Sequence, residues 1–144
     1  MSHVATIDIN VTDLGVLAEA CQRIGLELIL NQKTYKWYGR HVGDYPIPEG
    51  FTIADLGNCE HAIRVKGDKN AYEVGVVKRR DGKPGYTLLW DFFDERIVQA
   101  LGSEAGRLKQ SYAITAAQAQ AVKQGFRCVE QKQANGSVRL VLTK

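Results

Sequence analysis

Cys59-x-His61, with His41 and Asp55 upstream, is the set of residues whose types come nearest to reactive chemistry in this sequence. A zinc site takes four Cys, His or carboxylate ligands in a tetrahedron, usually offered as paired spacings. Only one such pair occurs here, so Cys59 reads as a loop cysteine beside a histidine that opens a strand, and no metal ligand is assigned. A nucleophilic Cys59 paired with His41 or His61 would need a nearby cation or helix N-terminus to lower its pKa. Neighbouring Glu60 and Asp55 act in the opposite direction. Asp91 and Asp94-Glu95 form a carboxylate pair, but Asp94 reads as a helix N-cap. Gly39, Gly43 and Gly50 are spaced irregularly among rings and prolines, unlike the Gly-rich turn onto a helix that cradles phosphate. Neither a nucleophile elbow nor an HExxH helix occurs. No catalytic residue and no cofactor follow from these patterns.

Rings and cations are what the sequence concentrates. Residues 33–51 obey no helical or strand period, and they gather Tyr35, Trp37, Tyr38, Arg40, His41 and Tyr45 with Pro46 and Pro48. Long irregular segments inside compact domains are usually binding loops or disordered linkers, and disordered chain is poor in aromatics. A second basic cluster, Lys78, Arg79, Arg80 and Lys83, falls on an expected hairpin tip. Tyr, Trp and Arg dominate protein–protein hot spots. The favoured reading is a small non-enzymatic binding or adaptor protein that engages a protein partner through 33–51. Aromatics that stack on bases, at roughly 1–3 kcal/mol per base, together with cations on phosphates, make a nucleic-acid binder the alternative, with the 78–83 tip extending the surface. An enzyme of unrecognised type stays open, as does a Trp37 tucked into the core to hold the loop. If the segment is a binding surface, replacing Trp37 and Arg40 with Ala removes partner capture and leaves the fold intact.

The elements that must position these residues follow from periodicity. Val4 to Val11 alternates as a half-buried strand. Asp13 caps a helix carrying Leu14, Leu17, Ala18, Cys21 and Ile24, which Gly25 ends. Leu26 to Leu30 reads as an inner strand. Residues 31–60 are an irregular insertion in which Phe51 to Leu56 forms one helical turn capped by Thr52. Strands at 62–66, 72–78 and 86–90 make an antiparallel meander, with Asp81-Gly82 as a hairpin signal. Helices follow at 94–101 and about 108–124, with Gly102 and Gly106 interrupting between them. A closing hairpin pairs 126–131 with 138–142 around Asn135-Gly136, the dipeptide of a type I′ turn. Together these predict one α+β domain over 1–144, with helices on one face of a largely antiparallel sheet.

A chain of 144 residues with net charge +3 can bury a core without staples, and it permits an anionic partner without requiring one. Three dispersed cysteines do not make a secreted disulfide framework; Cys21 and Cys128 read as buried thiols. The opening residues show no signal-peptide pattern, and no apolar run approaches the roughly 18 residues of a membrane span. A reduced, cytoplasmic protein without membrane contact is expected. A homodimer formed by strand addition at an exposed edge, such as the last strand, is left open.

Several stretches resemble a known family. They are Met-Ser-His at the start, Ile7, Asp13-Leu14, Leu17, Ala20 and Ile24-Gly25, then Tyr72 to Val76, Leu108 to Ala113, Gly125-Phe126 and Asn135 to Leu142. The set is similar to an uncharacterised family of hypothetical proteins found in red-algal plastids, cyanobacteria and tailed bacteriophages. The ring-rich 33–51 stretch resembles its longer, phage-type branch. The resemblance implies a phage or bacterial protein with an auxiliary role and transfers no activity.

Overall fold

The computed structural model describes residues 2–144. Strand β1 (Val4–Val11) leads through helix α1 (Leu14–Gln22) to β2 (Leu26–Ile29), and a short 3-10 turn (Ile53–Asp55) precedes the meander β3 (His61–Val65), β4 (Val74–Lys78) and β5 (Tyr86–Asp91). Helices α2 (Glu95–Leu101) and α3 (Gly106–Lys123) and the hairpin β6 (Arg127–Lys132) and β7 (Val138–Thr143) complete the chain. The sheet order is β1-β5-β4-β3-β2, with every neighbouring pair antiparallel, and β6–β7 forms a separate two-stranded sheet. The fold is α+β, as the periodicity predicts.

Local chemistry sets the boundaries. Asp13 caps α1 by accepting from the Val16 N–H at 3.1 Å. Asp94 caps α2 through the Arg96 N–H. Thr52 opens the 3-10 turn, its N–H donating to the Asp55 carboxylate at 2.8 Å. Three expectations need correction. The second strand, β2, is an edge and not an inner strand: α1 carries the chain across the sheet from the β1 edge, and β2 pairs with β3 alone. Gly106 begins α3 in right-handed geometry, and Gly102 makes the break with φ +85° beside two left-handed non-glycine residues, Glu104 and Ala105. The last hairpin does not turn on a type I′ Asn-Gly, because Gly136 alone has positive φ. Its Gly136 N–H bonds to Gln133 O, and Gln133 N–H to Ser137 O, which gives a longer loop with glycine at the left-handed position.

The sheet is buried on both sides. One face carries Ile7, Val11, Ile63, Val74, Val76, Leu88 and Trp90 against Leu17, Cys21, Ile97, Leu101, Leu108 and Tyr112 of the helices. The other face carries Val4, Ala62, Val77 and Leu89, and no helix covers it. Continuous burial along β4 needs a layer on each side. The second layer is the irregular segment itself.

Candidate functional site

The segment docks by backbone pairing before its rings matter. Thr34 bridges Asn58, the Tyr35 N–H donates to Gly57 O at 2.9 Å, and the Cys59 N–H donates to Lys33 O at 2.9 Å. Glu73 ties the next residue, accepting from the Lys36 N–H while its own N–H donates to Lys36 O. Tyr35 then lies on Gly75 of β4, where an added Cβ would stand 2.4 Å from its ring. Its relative exposure is 3%. Tyr35 therefore belongs to the second core with Leu56, Cys59, Ala62 and Leu89, and presents no ring face to a partner. Burial pushes its phenol up to about 12, with the Gly57 backbone pulling the other way, and its hydroxyl makes no well-formed hydrogen bond. Trp37 is half-buried and leans on Gly57, where a Cβ would meet its Nε1 at 2.5 Å. It braces the cover, so Trp37→Ala perturbs folding as well as any surface.

Past Trp37 the segment is pinned by one carboxylate. Asp91, fully buried at the end of β5, accepts from the His3 N–H at 2.9 Å, the Tyr38 N–H at 3.0 Å and the Phe93 N–H at 3.1 Å. Both its oxygens are thus engaged by backbone donors, so it acts as a clamp where the sequence suggests a proton-transfer candidate. Asp94 is engaged likewise, accepting from Tyr72 N–H at 2.7 Å as well as capping α2. Around the clamp five rings meet: Tyr38 stands edge-on to Phe93 at 5.7 Å, His3 contacts Tyr45, Phe92 and Phe93 at 5.3, 5.2 and 5.9 Å, and Tyr45 stands edge-on to Phe92. Phe93 is 46% exposed in the middle of this group. Arg40 is exposed, forms no ion pair among the described residues, and follows Tyr38 by two positions; His41 is half-buried. Ser2 and Val42 hold the two chain segments together, the Val42 N–H donating to Ser2 Oγ at 2.9 Å.

Phe92 and Phe93 are members of this surface that no sequence periodicity marks, and His3, whose place near the start of the chain suggests a capping or exposed role, joins them. The signal available was the Phe-Phe pair just past the end of a strand, where a turn closed by the Asp91 side chain brings both rings onto His3.

The second basic cluster stands elsewhere. Arg79 and Arg80 border an open groove of about 720 Å³ with Thr6, Asp8, Asn10, Glu49, Phe51 and Asp81, where β1 loses register with β5 between Ile7 and Val11. Both guanidiniums already have partners. Arg79 pairs with Asp81 at 2.5 Å and reaches Asn10 at 2.9 Å, while Arg80 lies over Phe51 at 4.6 Å and 3.8 Å from Asp55. Lys78 and Lys83 border a smaller hollow of about 270 Å³ beside it. The tip is self-neutralised at its arginines, and its cations do not join the ring surface.

Cysteine chemistry finds no support in the geometry. Cys59 lies in the loop before His61 opens β3, as expected, and is buried there, its Sγ 3.2 Å from Gln32 O; burial followed by the Glu60 charge pushes its thiol up to about 12. A thiol so raised is not a nucleophile at neutral pH. Cys21 is raised to about 12 by burial, and Cys128 is half-buried. His61 accepts the Asn31 N–H at Nδ1 and stands edge-on to Tyr86, and among the described residues no three metal-ligating side chains converge.

Fold and site together define a small α+β protein whose sheet wears an irregular aromatic cover, with a ring-and-cation surface at the cover's far end. The chain belongs to the family described as protein of unknown function DUF1257, whose model matches residues 49–141. No curated protein and no solved structure matches the chain. The match runs from just before the 3-10 turn into β7, and it takes in the Tyr72 to Val76 and Leu108 to Ala113 stretches. The opening stretches and most of the ring-rich segment lie before it.

Proposed function

We propose that this chain is a non-enzymatic binding or adaptor protein that captures a protein partner through the exposed end of its aromatic cover. The contact residues are Tyr38, Arg40, His41 and Tyr45, joined by His3 and Phe93. The observation that carries the reading is Phe93: a large apolar ring left 46% exposed although the His3 and Tyr38 rings, from two distant stretches of chain, pack against it. Aromatic side chains on a pre-ordered backbone lose little entropy on binding, and together with Arg they make up interface hot spots. Tyr35 and Trp37 serve as anchors rather than contacts.

A nucleic-acid reading gains less from the geometry. The two arginines meant to track phosphates already hold carboxylates, and among the described residues the ring surface contributes Arg40 as its one guanidinium without an ion pair. By its resemblance to the phage-type branch of the family, the protein is phage-encoded and meets its partner in the bacterial cytoplasm. No helix among the described residues is long and apolar enough to cross a membrane, which agrees with a partner in solution.

The test is capture from host extract with tagged wild-type chain and with Phe93→Ser/Arg40→Ala, in parallel with nuclease treatment and a salt series. The expected result is a protein retained by the wild type after nuclease treatment, tolerant of salt, and lost by the variant at unchanged melting temperature. Retention by the variant, or loss on nuclease treatment, contradicts the proposal.

A further inference from the structure

Four strands have an open side: β1 and β2 at the ends of the large sheet, and β6 and β7 in the hairpin. An open edge recruits another strand unless brevity, charge or a bulge prevents it. Strand β2 has four residues, and its Glu27 is ion-paired to Arg64. Strand β1 is broken in register at Asp8 to Asn10. Strand β6 carries Arg127, Glu130 and Lys132 within six residues, and Glu130 is held by Arg23 at 2.5 Å. None of these devices protects β7. It pairs residue for residue with β6 from Val138 to Thr143, without a bulge, and carries one charge, Arg139. High β-propensity, low charge and no Pro or Gly mark strands that pair with copies of themselves. Exposed apolar side chains gather at the same end: Leu142 at 47%, Val129 at 55% and, on the last turn of α3, Val122 at 65%.

We infer that β7 is an interface with a second copy of this chain, the two β7 strands adding antiparallel about a two-fold axis at Val141. The sheet then becomes β6-β7-β7-β6, four strands where an isolated pair is only marginally stable. The register is self-complementary. Residues facing each other across antiparallel strands share a side of the sheet. Centring on Val141 sets Val141 against its own counterpart, Leu140 against Leu142, and Arg139 against Thr143. No like charges meet. The outer side gains a continuous row, because Val129 already stands opposite Val141 within each hairpin. The same operation on β6 would set Glu130 against itself or against Cys128, which argues for β7 as the pairing edge.

The experiment measures the solution mass of the full chain by sedimentation equilibrium over a concentration series. A dimer that dissociates on dilution is expected. Val141→Lys sets two ammonium groups across the axis and raises the dissociation constant at least about tenfold, as a like-charge contact at an interface does. Arg139 and Thr143 are exposed, but Thr143 also stands opposite Arg127 of its own hairpin, so the Thr143 variants are made and compared in an Arg127→Gln background, where the change is felt only across the interface. Thr143→Glu gives Arg139 a partner across the interface and tightens the dimer about two- to fivefold, the range of an exposed ion pair; Thr143→Arg weakens it by a similar factor. A monomer at every concentration, a dimer indifferent to Val141→Lys, or Thr143→Glu weakening association would overturn the inference. So would association only with another protein's strand.

Discussion

Gly75→Ala tests whether the irregular segment is truly the second layer of the sheet. Position 75 lies inside β4, where glycine weakens a strand by roughly 0.5–1 kcal/mol relative to alanine. Propensity alone therefore predicts that the substitution stabilises. The structure predicts the reverse. An alanine Cβ would stand 2.4 Å from Cδ1 and 2.5 Å from Cε1 of Tyr35, against an ordinary contact of 3.4–4 Å. The ring cannot slide away cheaply, since its own N–H is bonded to Gly57 O and Leu56, Cys59, Val77 and Leu89 enclose it. If the sheet yields, overpacking costs about 1–3 kcal/mol; if the ring is expelled, the loss approaches the roughly 3–5 kcal/mol of deleting a large aromatic. Less the propensity gain, the expected net loss is about 0–2.5 kcal/mol if the sheet yields and about 2–4.5 kcal/mol if the ring is expelled. Urea unfolding followed through Trp37 and Trp90 fluorescence measures it. In a Tyr35→Ala background the same substitution should become neutral or favourable, giving a coupling of about 1–3 kcal/mol. A stabilising Gly75→Ala in the wild-type background, or strict additivity with Tyr35→Ala, would refute the docking of Tyr35 on β4.

Other perturbations probe the remaining parts of the cover. Tyr35→Phe removes a buried hydroxyl without a partner and should stabilise the fold by up to about 1 kcal/mol in the same denaturation assay. Asp91→Asn keeps one acceptor oxygen and turns the other into a donor facing an N–H, so stability falls by about 1.5–3 kcal/mol and hydrogen exchange rises at the backbone amides the clamp holds, above all Tyr38. His61 is held below its ordinary pKa of 6.5, first by burial and then by the Lys33 charge, and its Nδ1 must stay unprotonated to accept Asn31. The unfolded chain then binds this proton before the folded one, so its contribution is present above 6.5 and declines as pH falls through the lowered folded value; His61→Gln should flatten that part of the stability profile. Among the three thiols, Cys128 should react first with an aromatic disulfide reagent, and Cys21 and Cys59 only as denaturant opens the core.

The sequence was most legible where one local signal decides the structure. Asp13 and Asp94 mark two element starts because each supplies an acceptor to an orphaned N–H, Thr52 marks a third by donating to the Asp55 carboxylate, and the alternation of Val4 to Val11 needs only one buried face. The strand order was not legible: nothing local to Leu26–Ile29 states that α1 delivers it to the far edge. The candidate site divides along the same line. The rings of 33–51 mark an ordered, special segment, yet their roles depend on what lies beneath them. Gly75 admits Tyr35 to the core and Gly57 receives Trp37, contacts with residues far along the chain. The exposed members owe their positions to Asp91, whose three N–H partners come from separate stretches. Phe93 and His3 join Tyr38 and Tyr45 through that clamp, with the Ser2–Val42 contact beside it.

The most direct measurement of the central claim is site-specific photo-crosslinking with a benzophenone side chain at 93, 40 or 104, carried out in the native host and followed by nuclease treatment. Position 104 lies at the turn between α2 and α3, away from the aromatic cover. A binding surface at the end of the cover predicts a single protein adduct at 93 and 40, resistant to nuclease and absent at 104. Equal adducts at all three positions, or labelling confined to 104, would contradict it.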